Sequence, residues 1–228
     1  MMVRAADEAG VALMVNQQAR WALAHRAIKQ LIERGVCGRL YSVANLRRSW
    51  QDHADRWWRD LEDFNIVDHG VHFIDLCRHF TEREPDAVSC ITARVQGQHA
   101  VSPLCHTIAL HFDSGDLAVT EHFNNIVSSP AARSDTWYLD GDEGSIIGTP
   151  DWVEISRKDD PDRRLRWPIE GRWFPDAFGG SMAEMMRAVT DSREPVTSGR
   201  DNLNSIKIVF AAVQSSRAGR TVRLSEFS

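Results

Sequence analysis

No stretch of this 228-residue chain approaches the roughly 20 consecutive apolar residues that a membrane-spanning helix needs. No basic run exists either. The lysines and arginines are scattered or sit beside acids, as in Arg56-Trp57-Trp58-Arg59-Asp60, and the net charge is −5, so the electrostatic footprint of a nucleic-acid binder is missing. There is no C-x-x-C. Cys37, Cys77, Cys90 and Cys105 lie singly inside apolar segments, which reads as buried reduced thiols rather than a disulfide framework or zinc cluster. The opening Met-Met-Val-Arg-Ala-Ala-Asp-Glu-Ala-Gly is too short and too acidic for a signal peptide, and with the thiols it predicts a cytoplasmic protein. Internal repeats, low-complexity linkers and a G-x-G-x-x-G after any strand are all missing. What is present is ordinary for a globular chain, with 43% hydrophobic and 26% charged residues.

The first residues, Val3 to Ala9, read as a helix stopped by Gly10. Val11 to Val15 is a short continuous apolar run, the mark of a buried parallel strand, and such a strand needs neighbours on both sides. Ala24 to Arg34 places Ala27, Ile28, Leu31 and Ile32 on one helical face and ends before Gly35 and Gly38. A strand follows at Leu40–Leu46, then a Trp- and Asp-rich loop from Ser49 to Asp63, then a helix from Asn65 to Phe80. From Asp86 the period becomes alternating, predicting strands at Ala87–Val95, Cys105–Phe112 and Leu117–Phe123, the last two joined by a hairpin over Asp113–Asp116. Ile108, Leu110, Phe112, Leu117, Val119 and Phe123 share an apolar face. Shorter strands are expected at Thr136–Leu139, Ser145–Ile147, Val153–Ile155 and Arg164–Trp167, and closing helices at Ser181–Thr190 and Leu203–Ala218. The sum is α+β: a large, mostly antiparallel open sheet with helices on one face.

The helix from Asn65 to Phe80 carries the chemistry. At 100° per residue, Asp68, His72, Asp75 and His79 fall within an arc of roughly 60°. The rest of the wheel is almost entirely apolar, so these side chains share one narrow polar strip. Asp68 and His72, at i and i+4, can hydrogen-bond each other or grip one ligand, and an imidazole beside a carboxylate suits proton transfer near neutral pH. A plainer role fits the same residues, with Asp68 capping the helix and His72 a satisfied boundary histidine. A metal site is a third reading, but His69 lies about 60° from His72 on the wheel.

Asp68-His69-Gly70-Val71-His72-Phe73-Ile74-Asp75 resembles the D-x-G-x-H-x-x-D signature of the Gfo/Idh/MocA oxidoreductases. Other segments line up in order. Leu13–Arg20 resembles the family's strand leaving its nucleotide-binding domain, Leu31–Leu40 its helix end with paired glycines, and Trp58-Arg59 a Trp-Arg pair of many members. Gly141–Ser145 is similar to a common family turn, and Ala211–Val222 to its final helix and strand. The resemblance implies NAD or NADP as cofactor and a sugar or polyol as substrate. It implies His72 as the acid/base and Asp68 as its partner, with Asp75, Arg20 and Trp57 on the substrate and Trp58, Arg59 and Gln17 on the cofactor. No metal is implied. It also implies a homo-oligomer through the polar sheet face, expected to carry Thr92, Arg94, Thr107, His111, Thr120 and His122.

Two departures stand out. Glu62-Asp63-Phe64-Asn65 replaces the glycine-rich run that often precedes the signature, and the family's dinucleotide fingerprint and its lysine are not in this sequence. Residues 1–17 are therefore expected to be a remnant of a Rossmann-type nucleotide-binding unit, and residues 18–228 the substrate-binding, catalytic and oligomerisation domain. The leading expectation is the substrate half of an NAD(P)-dependent sugar or polyol oxidoreductase. A Rossmann-less relative acting as a binding or oligomerisation module is the alternative, and a metal-assisted hydrolase or isomerase a third.

Overall fold

Strand alternation builds the frame of the molecule. The computed structural model describes residues 1–227, which form in order α1 (Met2–Ala9), α2 (Leu23–Glu33), β1 (Leu40–Arg48), α3 (Val71–Thr81), β2 (Ala87–Ala93), β3 (Cys105–His111), β4 (Ala118–Asn124), β5 (Ser134–Gly141), β6 (Gly144–Gly148), β7 (Trp152–Arg157), β8 (Asp160–Pro168), α4 (Phe178–Thr190), α5 (Gly199–Ala218) and β9 (Val222–Arg223). All nine strands join one sheet in the order β8-β7-β6-β5-β1-β4-β3-β2-β9. Only β1 and β4 run parallel; every other neighbouring pair is antiparallel. The α+β architecture expected from the sequence is the one observed, and no helix among the described residues is long and apolar enough to cross a membrane.

One sheet face is the core. Val43, Ile108, Val119, Phe123, Trp137, Leu139 and Ile146 are buried there, against Ile28 of α2, Phe73 and Phe80 of α3, and Ile208 and Ala212 of α5. Phe73 meets Phe123 edge-on at 4.7 Å and stacks on Trp137 at 5.9 Å, and Phe80 meets Trp137 at 5.0 Å. Each such ring contributes about 1.5–3 kcal/mol by leaving water. The apolar side of α3 is thus fixed, and its polar side must face away from the sheet. The Gly141–Gly144 turn presses on the segment before β1: a Cβ on Gly141 would stand 2.2 Å from the Cys37 carbonyl oxygen, so the turn needs glycine for close backbone approach.

Three expectations need correction. Val11–Val15 is no buried parallel strand: Val11 is 61% exposed, and only Met14 makes an isolated antiparallel bridge, to Ser198. The Val15 amide donates to the Thr197 carbonyl and the Gly199 amide to the Leu13 carbonyl, both at 2.8 Å, so the run lies along the loop before α5, outside the nine-stranded sheet. Thr92 does not share the face of Thr107 and His122. It pairs with His106, whose side chain is buried among the helices, and Arg94 lies beyond the strand end. The helix from Asn65 to Phe80 is not one α-helix: Asn65–Gly70 form a π-helical turn ahead of α3. Cys37, Cys77 and Cys90 are buried free thiols, and Cys105 is partly exposed.

Candidate active site

A π turn closes i→i+5 hydrogen bonds and is wider than an α turn. Residues before α3 are therefore rotated from the positions a continuous α-helix would give them. Among the described residues Asp68 makes no hydrogen bond to His72. The imidazole is instead held from the other side, by the segment Gln17–Trp21, whose last four residues form a single helical turn. Gln17, 2% exposed, donates from Nε2 to Asn202 Oδ1 at 2.6 Å. Its remaining oxygen, Oε1, accepts from His72 Nδ1–H at 2.8 Å. The neutral ring then carries its lone pair on Nε2, approached only by Gln18 Nε2 at 3.4 Å, which is long for a hydrogen bond. Burial lowers the His72 pKa, while Asp68 and Asp75 pull it upward. Near neutral pH His72 is an uncharged acceptor, the state that takes a proton from a hydroxyl.

His72 and Gln18 line a cleft of about 850 Å³ at the start of α3. Asp68 and His69 of the π turn, Arg47 at the end of β1, Asp135 at the start of β5, and Trp152 and Trp173 complete its walls. Asp68 is half-buried, and burial raises its pKa against the pull of His72. His69 lies 3.8 Å from the Asp68 carboxylate; burial first, then Arg47, His72 and His106, push it down to about 4. Arg47 donates to Asp135 Oδ2 at 2.8 Å and lies over the rings of Phe73 and Phe123. The mouth thus mixes aromatic walls with hydrogen-bonding groups of both kinds, the general make-up of a small-molecule pocket.

The other half of the polar stripe is closed. Asp75 is fully buried and receives Arg20 bidentately, Nε at 2.6 Å and Nη2 at 2.8 Å, together with Ser205 Oγ at 2.9 Å. Arg78 stands 3.6 Å away and bonds Glu84 and Asp201. Asp75 and Arg20 therefore tie α3 to the Gln18–Trp21 turn and lie outside the cleft lining. Trp57 is 69% exposed; Trp58 stacks on Phe64 at 5.1 Å, and Arg59 pairs with the exposed Asp60. These three also lie outside the cleft lining, and Gln17 reaches it only through His72.

Sequence reasoning missed Arg47, Asp135, His69 and the two tryptophans of the wall. Only His69 carried a local signal, as a second imidazole beside the stripe; the others come from distant strands and loops and meet through the sheet. Among the described residues, no group of three or more His, Cys, Asp or Glu side chains converges as a metal site.

With that geometry in hand, the relatives are informative. The model of the GFO/IDH/MocA C-terminal domain matches residues 25–147. D-apiose dehydrogenase of Paraburkholderia graminis is 29% identical over 237 residues, covering 98% of this chain and 62% of that protein. The scyllo-inositol 2-dehydrogenase (NADP(+)) of Bacillus subtilis is 28% identical over 251 residues, covering 97% of this chain and 67% of its own length. An oxidoreductase from Agrobacterium radiobacter, solved in complex with NAD+, L-tartaric acid and magnesium, superposes with a TM-score of 0.86 at 23% identity, over 100% of this chain and 69% of that one. Levoglucosan dehydrogenase in complex with NADH and levoglucosan gives 0.79 at 20% identity, over 98% and 69%. These two structures share the fold, and the chain spans less than two thirds of the P. graminis enzyme. Since the domain match covers more than half of its residues, the chain belongs to the GFO/IDH/MocA family.

Proposed function

We propose that this chain is the substrate-binding, catalytic half of an NAD(P)-dependent oxidoreductase acting on a sugar, polyol or related hydroxy compound. The observation that carries the reading is His72. Its Nδ1–H is committed to Gln17, its ring is uncharged near neutral pH, and it sits on a cleft with an acid beside it. A bound hydroxyl can give its proton to Nε2, while Asp68 steadies the imidazolium that results and orients the ligand. Arg47 and Asp135 supply a donor and an acceptor for further ligand oxygens. In this proposal Asp75 and Arg20 act on the substrate only by fixing the position of α3.

The cofactor would supply or take the hydride. Its phosphates find no cradle among the described residues: a Cβ on Gly144 would meet the Ser156 carbonyl oxygen at 2.6 Å and one on Gly180 the Trp21 ring, so these glycines are filled by packing. Residues 1–17 read as the border of a separate nucleotide-binding unit, because α1 buries none of its residues. The outer sheet face, with Ile91 72% exposed and Thr107 bonded to His122, is the surface through which copies of the chain would associate.

The test is calorimetric titration of the chain with scyllo-inositol and with D-apiose, beside the variant His72→Asn. Binding that weakens at least about tenfold in the variant supports the reading, since a lost hydrogen bond to a reacting hydroxyl is worth that much. Heat-silent titrations of the wild-type chain up to the solubility of both compounds would overturn it.

A further inference from the structure

Beneath the cleft runs a line of buried polar side chains that the reading above leaves unused. Glu121 of β4, 2% exposed, and His106 of β3, 1% exposed, meet at 2.8 Å between Oε1 and Nε2. His106 Nδ1 lies 2.9 Å from Asn65 Nδ2, and Asn65 Oδ1 lies 2.6 Å from Asn125 Nδ2. The same Asn125 nitrogen is 3.0 Å from His69 Nδ1, and Asn125 Oδ1 accepts from Ser49 Oγ. Asn65 and Asn125 are fully buried.

Such a line has a direction. With Glu121 Oε1 accepting, His106 must hold its proton on Nε2, and its Nδ1 becomes an acceptor. Asn65 then donates to His106 and accepts from Asn125. Asn125 gives its second N–H to His69 Nδ1, which leaves the only proton of a neutral His69 on Nε2. That nitrogen has no hydrogen-bond partner among the described residues and stands 3.8 Å from Asp68 Oδ2; both residues line the cleft. A single hydroxyl can accept from Nε2–H and donate to that carboxylate. Gly70 supplies the clearance, since a Cβ there would stand 3.3 Å from Glu121 Oε1 and 3.7 Å from His106 Cε1.

We propose that His69 is a ligand-contact residue of the cleft, a fixed donor whose Nε2–H takes a ligand hydroxyl oxygen beside Asp68. Glu121, through His106, Asn65 and Asn125, is the positioning residue that sets this polarity. The hydroxyl-bearing ligand rests on the function proposed above; the direction of the line does not. It would reverse if His106 held a proton on Nδ1, either with Glu121 donating from Oε1 or as an imidazolium beside the carboxylate, and His69 Nε2 would then be an acceptor.

Two-bond 1H–15N spectra of the histidine-labelled chain at pH 7 read both rings directly. The expected result is an Nε2–H tautomer for His69 and for His106. An Nδ1–H form, or rapid averaging between the two, on either ring overturns the proposal. Glu121→Gln keeps an acceptor oxygen and should preserve both signatures, whereas Glu121→Leu should let both rings average; a Leu variant that keeps them would remove Glu121 from its role. If the Leu variant does not fold, the wild-type and Gln spectra still decide. Titration of His69→Gln and His69→Phe with scyllo-inositol then separates ligand contact from fold: Gln, which retains a donor, should bind within about twofold of wild type and Phe about tenfold more weakly. Equal binding by both variants would refute ligand contact. If the wild-type chain binds no polyol, the function fails while the tautomers still judge the polarity.

Discussion

The two halves of one helical stripe have opposite fates. Asp68 is half-exposed on a cleft, one turn before His72, while Asp75, one turn after it, is fully buried under Arg20, Arg78 and Ser205. Residue type does not decide this, since both are aspartates beside a histidine. The Gln17–Trp21 segment decides it: Gln17 and Gln18 reach His72, and two residues later Arg20 closes over Asp75. One short segment therefore leaves a chemical group open on one side and seals a structural one on the other.

The comparison breaks most visibly at Asp75. Asp75→Ala leaves Arg20 and Arg78 charged, with side chains only 11% and 5% exposed, and removal of one partner from a buried ion pair destabilises by about 3–5 kcal/mol. Asp68→Ala, on the open half, should shift stability by no more than about 0.5 kcal/mol. Urea unfolding of the two variants measures both. Equal losses would mean that Asp68 is also a structural residue and that the stripe has one function along its length.

Acid sharpens the comparison on the open side. His69 is held down to about 4 by burial first and then by Arg47, His72 and His106, whereas in the unfolded chain it protonates near pH 6.5. As pH falls through 6.5 toward 4, the unfolded state takes up a proton that the native state refuses, and stability is lost. Between pH 7 and pH 5 His69 alone should account for about 2 kcal/mol. His79, pushed down to about 3 by burial first, and His25 and His72, lowered by burial, act in the same direction. His69→Gln should flatten the pH dependence of the urea midpoint by its share. An unchanged slope would show that the ring is protonated in the native protein at pH 5.

Much of the fold was legible because it rests on period. Alternation from Ala87 onward located β2, β3 and β4 to within a residue or two, and Gly10, which adopts a positive φ of 64°, marked the end of α1. Val11–Val15 misled because an apolar run reports hydrophobicity, not its backbone partners, which here are Thr197 and Gly199. The site was half legible. His72 and Asp68 stand out as polar residues on an apolar helix, but the π turn between Asn65 and Gly70 has no signature in hydrophobic spacing, and of the two arrangements the spacing allows, their mutual hydrogen bond is the one that does not form. Asp75 looked equivalent to Asp68 because its partner, Arg20, is 55 residues away in sequence. The same holds for Asn65, in the segment that replaces the family's glycine-rich run. Its side chain bonds His106 and Asn125, both brought to it by distant strands.

The smallest effect tests the segment that divides the stripe. Gln17→Leu preserves volume in a site only 2% exposed but removes the acceptor of His72 Nδ1–H and the donor to Asn202. A lost buried hydrogen bond of this kind should lower stability by about 1 kcal/mol. More tellingly, it frees the imidazole to move its proton to Nε2, which would point a donor rather than a lone pair into the cleft. Histidine 15N spectra should then show His72 changing from a single Nδ1–H form to a mixture, while the Arg20–Asp75 pair one turn along keeps the rest of α3 in place. If His72 holds its tautomer without Gln17, the orientation of the ring comes from Asp68 and the cleft wall, and the control assigned to the Gln17–Trp21 segment extends only to its sealed half.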